Sequence, residues 1–428
     1  MLLDRTKTPA IKSAIDLEYE LLDCQQRKLQ NDIALYYINQ GSQEVMQLEF
    51  VFKAGLWYEP QKGIAQATAA LLKSGTSSKT SFEINAEIEQ YGASIKSQSG
   101  VDFSSLTLSC LSKHASKVLP LIFELLTDTQ YPASELAIYI QNALQRLSVY
   151  ALKGDFIANR KIDELLFGAE HPYGRFMESQ DYQQIDSKSL QSYRQTYFTS
   201  SNCTIFLAGK FAESLLNEID ILFGSKHWNE TPIPQAKSYE PRPSDTLKYH
   251  AINDEKSVQS AIRIAAPCIS KQHPDFYKLI ILNTVLGGYF GSRLMSNIRE
   301  DKGYTYGIHS YMYNHVKHSA YMISTEVGRD VAQQAVTEIY YEMNLLREQL
   351  IDDEELLLVK NYLLGSILGD LDGPFHIIQR WKNLILNNFP KEKFYENINL
   401  YKHISAKELQ QLALQYFDPN TFYEVVIS

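Results

Sequence analysis

Two kinds of hydrophobic spacing alternate along this chain, and their order predicts a layered protein. Residues 33–38 (IALYYI) read as a strand, and 45–53 (VMQLEFVFK) alternates with period two, the pattern of a strand with one buried face. Residues 63–73 (GIAQATAALLK), rich in alanine and leucine, predict a helix stopped near Gly75. A second helix is expected over 81–91, with Ser81 as its cap, Glu83 and Glu87 early in it and Gly92 at its end. Short strands follow at 94–99 and 103–110, then long helices at 115–127 and 134–150.

The later chain repeats this order. Residues 185–209 read as a helix and a strand ending at Gly209. Strands are expected near 249–252 and 259–266, and a helix over 273–286. A tight glycine turn at Gly287 and Gly288 comes next, with Gly291 after it. A helix then carries Leu294, Ile298 and Arg299 on neighbouring turns, Gly303 stops it, and 304–311 alternates as a strand. A strand at 319–325 and helices at 330–350 and 352–368 complete the pattern. The acidic run at 352–355 suits a helix start.

A shift of 219 positions lays Lys188, Leu190, Gln191, Tyr197 and Phe198 over Lys407, Leu409, Gln410, Tyr416 and Phe417. Residues 48–53 echo weakly in 260–265. Self-similarity at half the chain length signals an internal duplication. Between the copies, 231–244 (TPIPQAKSYEPRPS) holds four prolines and predicts a stiff, extended linker. The expected organisation is a first half over 1–230, a linker over 231–248 and a second half over 249–428. The expected fold class is α+β, with two similar α/β halves, each a mainly antiparallel sheet packed with helices.

Composition narrows the function classes. The 428 residues, 44% hydrophobic and 12% aromatic, suffice for sizeable cores. A net charge of −9 argues against a general nucleic-acid binder. Cys24, Cys110, Cys203 and Cys268 are widely spaced and form no C-x-x-C pair, so buried reduced thiols are expected. The first twenty residues read as neither a signal peptide nor a span, and no stretch approaches eighteen apolar residues. A cytoplasmic protein without membrane association is the expectation. His315 and His318, three apart in an expected strand context, do not suit one metal, and His171-Pro172-Tyr173 reads as a structural loop.

The candidate chemistry lies in 286–310 (LGGYFGSRLMSNIREDKGYTYGIHS). A helix, a turn and a strand there bring the Arg299 guanidinium and the Tyr306 phenol within one short motif. Together they supply donors for a peptide carbonyl. Capping and sheet packing are the bland reading of the same two residues. The run Leu286-Gly287-Gly288, Ser292-Arg293-Leu294, Ile298-Arg299-Glu300, Lys302-Gly303 and Tyr306 resembles the pitrilysin/insulinase-like peptidase family, in the branch that includes mitochondrial processing peptidase. Ala54-Gly55, Tyr58-Glu59-Pro60, Gly63-Ile64-Ala65, Ser74-Gly75-Thr76, Glu89, Gly92-Ala93, Asp102 and His171-Pro172-Tyr173-Gly174 extend the resemblance. It implies a LuxS/processing-peptidase-like metallopeptidase fold and a substrate-holding role for Arg299 and Tyr306. It also implies a substrate-contacting glycine loop at Gly287 and Gly288.

Active members of that family carry H-x-x-E-H on the helix after Gly-[Leu/Ile]-Ala. Two imidazoles one turn apart take zinc, and the glutamate handles the proton of the attacking water. Here those positions are Gln66, Ala69 and Ala70. The family's further zinc-binding glutamate falls near Gln145 and Arg146, and no carboxylate lies between Glu135 and Asp155. The expectation is a chain with no catalytic residue and no metal of its own. It would be a non-catalytic, substrate-positioning subunit of a heteromeric zinc endopeptidase acting on unfolded peptides, with zinc only in a homologous H-x-x-E-H partner. A scaffold subunit that handles no peptide, and an independent peptide-binding protein that forms a homodimer, are the alternatives.

Overall fold

The computed structural model describes residues 12–428 except 231, 233, 236 and 314. Among them are eleven strands in two sheets. The first sheet comprises β1 (Gln25–Lys28), β2 (Ala34–Asn39), β3 (Val45–Phe52), β4 (Ser94–Ser99), β5 (Ser104–Leu111) and β6 (Cys203–Gly209), in the order β1-β2-β6-β3-β5-β4. The second comprises β7 (Lys248–Ala251), β8 (Gln259–Cys268), β9 (Thr305–Met312), β10 (Ser319–Gly328) and β11 (Tyr423–Ile427), in the order β7-β11-β8-β10-β9. Apart from β1, the two orders coincide. Each sheet has one parallel pair, β2 with β6 and β7 with β11, and its other neighbours are antiparallel. The expected α+β fold with two similar, mainly antiparallel halves is present.

The helices repeat as well. The first half has α1 (Ile64–Ala70), α2 (Ser81–Gln90), α3 (Ala115–Asp128), α4 (Ala133–Tyr150), α5 (Gly154–Phe167), α6 (Ser179–Gln183), α7 (Ser187–Tyr197) and α8 (Ser214–Ile219). The second has α9 (Phe276–Asn283), α10 (Ala332–Glu348), α11 (Asp353–Gly369), α12 (Pro374–Leu386), α13 (Glu392–His403) and α14 (Ala406–Tyr416). Local signals explain several boundaries. The cap of α2 is Thr80, one residue before the expected Ser81. Its hydroxyl accepts from the Glu83 amide while the Glu83 carboxylate accepts from the Thr80 amide. Ser405 and Glu408 form the same box on α14. Gly92 and Gly303 end the corresponding helices with φ of 58° and 66°, a region in which other residues are strained. α1 is shorter than expected, because Leu71 leaves helical geometry at ψ 13° and the chain continues in turns.

Two helices are exchanged between the halves. α5 lies on the second sheet, where Ala158, Ile162 and Leu165 pack with Ala261, Ala265 and Val425. α12 lies on the first sheet, where Ile377 and Ile378 share a core with Val51, Phe206 and Ala208. The central strands are therefore covered on both faces. In β3, Leu48, Phe50 and Phe52 face the first half's own helices, and Glu49 and Val51 face α12. Each fully buried Leu, Ile or Phe contributes about 1.5–3 kcal/mol, so the exchanged helices hold the halves together through many such contacts.

Before β7 the linker passes the carboxyl end of α5. The Arg242 and Ser244 amides donate to the Phe167 and Leu165 carbonyls at 2.9 and 2.8 Å, and Tyr239 packs edge-on against Trp57.

Candidate functional site

The positions of the H-x-x-E-H pattern all lie on α1. Gln66 and Ala70, one turn apart, point outward, whereas Ala69 is buried. Gln145 and Arg146 lie on the exposed side of α4. A zinc ion does not fit here. Two alanine methyl groups and an amide replace the two imidazoles and the carboxylate. Among the described residues no three His, Cys, Asp or Glu side chains converge as a metal set.

The place is nonetheless hollow. Gln66 lines a cavity of about 460 Å³ between the halves. The first half contributes Glu59, Leu147 of α4, and Arg160 and Asp163 of α5; the second contributes Tyr313 and His315, just past β9. Glu59 accepts from the Ala65 amide at 3.1 Å, at the start of α1, and from Arg175 at 3.0 Å. Burial pushes its carboxyl up to about 7, against the pull of Arg175. Burial likewise pushes Asp163 up to about 7, although the Tyr313 hydroxyl donates to it at 2.9 Å. Arg160 stacks between Phe156 and Phe176, at 5.4 and 5.0 Å from the ring centres.

Buried aromatic packing closes one side. His171 is buried against Trp57, Phe167 and Tyr173, and burial lowers its pKa to about 4. His171-Pro172-Tyr173 is thus a packing motif. The Tyr173 hydroxyl donates to Asp102 at 2.8 Å, and the Val316 amide donates to the other Asp102 oxygen at 3.0 Å. His315 and His318 lie in the connection between β9 and β10 rather than in a strand.

Arg299 and Tyr306 do not line this cavity. The expected turn at Gly287 and Gly288 is instead the last turn of a helix: after α9, residues Thr284–Gly288 continue in wider π geometry. Gly287 is buried, and a Cβ there would meet Ser310 Oγ at 2.6 Å and the Ser310 amide nitrogen at 2.9 Å. This glycine lets the helix approach β9. A second π segment, Met295–Asp301, carries Arg299, whose guanidinium lies 4.7 Å from the ring centre of Phe290. Single π turns recur at functional sites.

Tyr306 is 94% exposed, and Phe290 is exposed as well. A β-bulge aims Tyr306 outward. Thr305 pairs with Val327 and Ile308 with Thr325, so Tyr306 and Gly307 together face Glu326. The Thr305 hydroxyl holds the bulge, accepting from the Gly307 amide at 3.0 Å and donating to the Glu326 carbonyl at 2.7 Å. β9 is an edge strand. Arg299, Phe290 and Tyr306 thus stand beside an open sheet edge, and among the described residues Arg299 forms no ion pair.

Residues 35–165 match the family described as Insulinase (Peptidase family M16), and residues 184–363 match the Peptidase M16 inactive domain. The chain belongs to peptidase family M16. Among M16 relatives, an uncharacterized zinc protease YmxG of Bacillus subtilis is 24% identical over 83% of this chain and 86% of its own length. A protein of Helicobacter pylori described as a non-peptidase homolog YmxG is 23% identical over 72% and 70%. The crystal structure of a peptidase M16 inactive domain from Pseudomonas fluorescens superposes with a TM-score of 0.84 at 20% identity, covering 95% of this chain and 98% of that one. The periplasmic protease PqqL of Escherichia coli superposes at 0.79 with 14% identity; this chain is covered in full, and about half of PqqL (49%). This M16 chain has the family fold without the zinc motif.

Sequence reading missed three participants. Phe290, lying between two glycines, carries no signal of its own. Nothing in the spacing of the chain singles out Glu59 or Asp163. Only Tyr58-Glu59-Pro60, part of the family resemblance, marked the first of them.

Proposed function

We propose that this chain is the non-catalytic, substrate-positioning subunit of a heteromeric zinc endopeptidase that acts on unfolded peptides. One observation carries the reading. The Phe290 and Tyr306 side chains stand exposed, and the Arg299 side chain half-buried, beside an open strand edge, while the helix that would hold zinc has no ligand. A guanidinium and a phenol beside free strand N–H and C=O groups suit an extended peptide backbone. In this reading the zinc and the general base belong to a homologous H-x-x-E-H subunit, and the complex is cytoplasmic.

The test is co-purification of this chain with such a subunit, followed by peptide cleavage. The chain alone is expected to bind no stoichiometric zinc and to cleave nothing, whereas the pair cuts. Arg299→Ala in the pair is expected to lower turnover about ten- to a hundred-fold, since a charged hydrogen bond contributes about 1.5–3 kcal/mol. Unchanged turnover would remove the assigned role.

An independent peptide-binding protein is the second reading. The cavity retained at the α1 position favours it. Peptide binding by the isolated chain, with no H-x-x-E-H partner recovered, would select it.

A further inference from the structure

The duplication extends to the cavity. In the second half a cavity of about 280 Å³ lies between α9, α11 and α12, the counterparts of α1, α4 and α5. Four of its lining positions correspond to positions of the first cavity. Arg160 and Asp163 stand six and nine residues after the start of α5; Arg380 and Asn383 stand six and nine residues after the start of α12. Leu147 of α4 and Ile367 of α11 share a position fourteen residues into their helices. The loop before the first helix supplies Glu59 in one half and Lys271 in the other.

The polarity is reversed. Asn383 replaces a carboxylate, and a lysine takes the place of a glutamate. Lys271 is only 9% exposed, and among the described residues it makes no hydrogen bond or ion pair. Two neighbouring polar groups are engaged elsewhere: Arg380 is paired with Asp370, and the Asn383 side-chain oxygen accepts from Asn387 at 3.0 Å. Asp102, the opposite charge that acts on Lys271 from the first half, is already held by Tyr173 and the Val316 amide. The Lys271 side chain is mostly buried and unpaired, and an anion in the cavity would give its ammonium a partner. Phe276, Ile280, Leu363 and Phe394 supply apolar wall, and Ser366, Asn397 and Tyr401 add polar groups.

We propose that this second cavity binds a carboxylate attached to one apolar, residue-sized group, with Lys271 holding the carboxylate. The volume lies near the lower end of small-molecule sites, about 300 Å³, which limits the ligand to one such group. Burial lowers the Lys271 pKa, and a bound carboxylate would raise it again. A free hydrophobic acid and the last residue of a peptide present the same chemistry. The inference does not depend on the proposed subunit role.

The test is calorimetric titration of the full chain with N-acetylphenylalanine and with its amide. A peptide ending in phenylalanine is titrated in parallel, as acid and as amide. The acid is expected to bind at least about tenfold more tightly than the amide. Lys271→Met is expected to lower acid binding by a similar factor while keeping the wild-type circular dichroism. Ser366→Trp, at the exposed rim, is expected to block binding without altering the charge. Binding of both acids assigns the site to peptide C-termini, and binding of the free acid alone assigns it to a small molecule. Equal binding of acid and amide, no binding of either, or wild-type affinity in both variants overturns the proposal.

Discussion

The two halves share a topology and differ in where they place charge. On the central strand of the first sheet, Glu49 is buried and faces Lys382 of α12 at 2.8 Å. On the central strand of the second, Arg263 is buried; its Nε donates to Asn159 of α5 at 2.6 Å, and it pairs with Glu326. The register places these residues alike, since Glu49 pairs with Phe206 of β6 and Arg263 with Val425 of β11. Each exchanged helix therefore meets a buried charge on the sheet it covers, and the sign is opposite in the two halves. The cavities invert in the same way, carboxylates in one and a lysine in the other. Duplicated backbones keep their hydrogen-bond pattern while their buried charges diverge, because a helix can dock on either sign provided a partner meets it.

The sharpest way to break this symmetry is Lys382→Ala, which leaves Glu49 buried without its cation. A loss of about 3 kcal/mol is expected in denaturant unfolding, the usual cost of breaking a buried pair. The double change Glu49→Met with Lys382→Met is expected to recover most of it. A smaller effect probes the close approach of a helix turn to β9 in the second half. Gly287→Ala is expected to cost about 1–3 kcal/mol, because its Cβ meets the backbone and side chain of Ser310.

The cavities differ in pH response. Glu59 and Asp163 are both raised to about 7 in the folded chain, well above unfolded values near 4. A raised carboxyl favours the protonated folded state. Its stabilisation is complete below pH 4 and is lost as the pH rises towards 7. Asp163→Asn gives the first cavity the residue of the second. It is expected to flatten the fall in melting temperature between pH 4 and 7 and to raise the melting temperature at pH 8; an unchanged slope would contradict the assignment. The smallest effect on stability is expected from Tyr306→Ala, within about 0.5 kcal/mol for so exposed a side chain. A larger loss would show that the bulge depends on the phenol.

Much of this architecture was legible in the sequence. The expected strands matched β2, β3 and β4 to within a residue or two, and the shift of 219 anticipated the match of α7 and β6 with α14 and β11. β3 also shows where reading stops. Its alternation implied one wet face, yet Glu49 and Val51 are buried, because the helix covering them begins more than 300 residues later. Thr80 and Ser81 are equally good caps on paper, and only the reciprocal bond with Glu83 separates them. Gly287 and Gly288 signalled a turn, but the requirement at Gly287 is close contact with β9, which spacing does not encode. Arg299 and Tyr306 were identified from their motif, whereas Phe290 and the bulge that exposes Tyr306 are tertiary features.

The traded helices also bear on how such a chain can be divided. Cut within the linker, each fragment would keep its sheet but present one face of it bare, with its exchanged helix, α5 or α12, projecting and nothing beneath it. Two different fragments mixed together would find each other, as each carries the other's missing lid. A single fragment could reach the same state only by pairing two-fold with a copy of itself. The linker then acts as a tether: it turns a concentration-dependent encounter into an internal one, and fixes which two unlike halves meet.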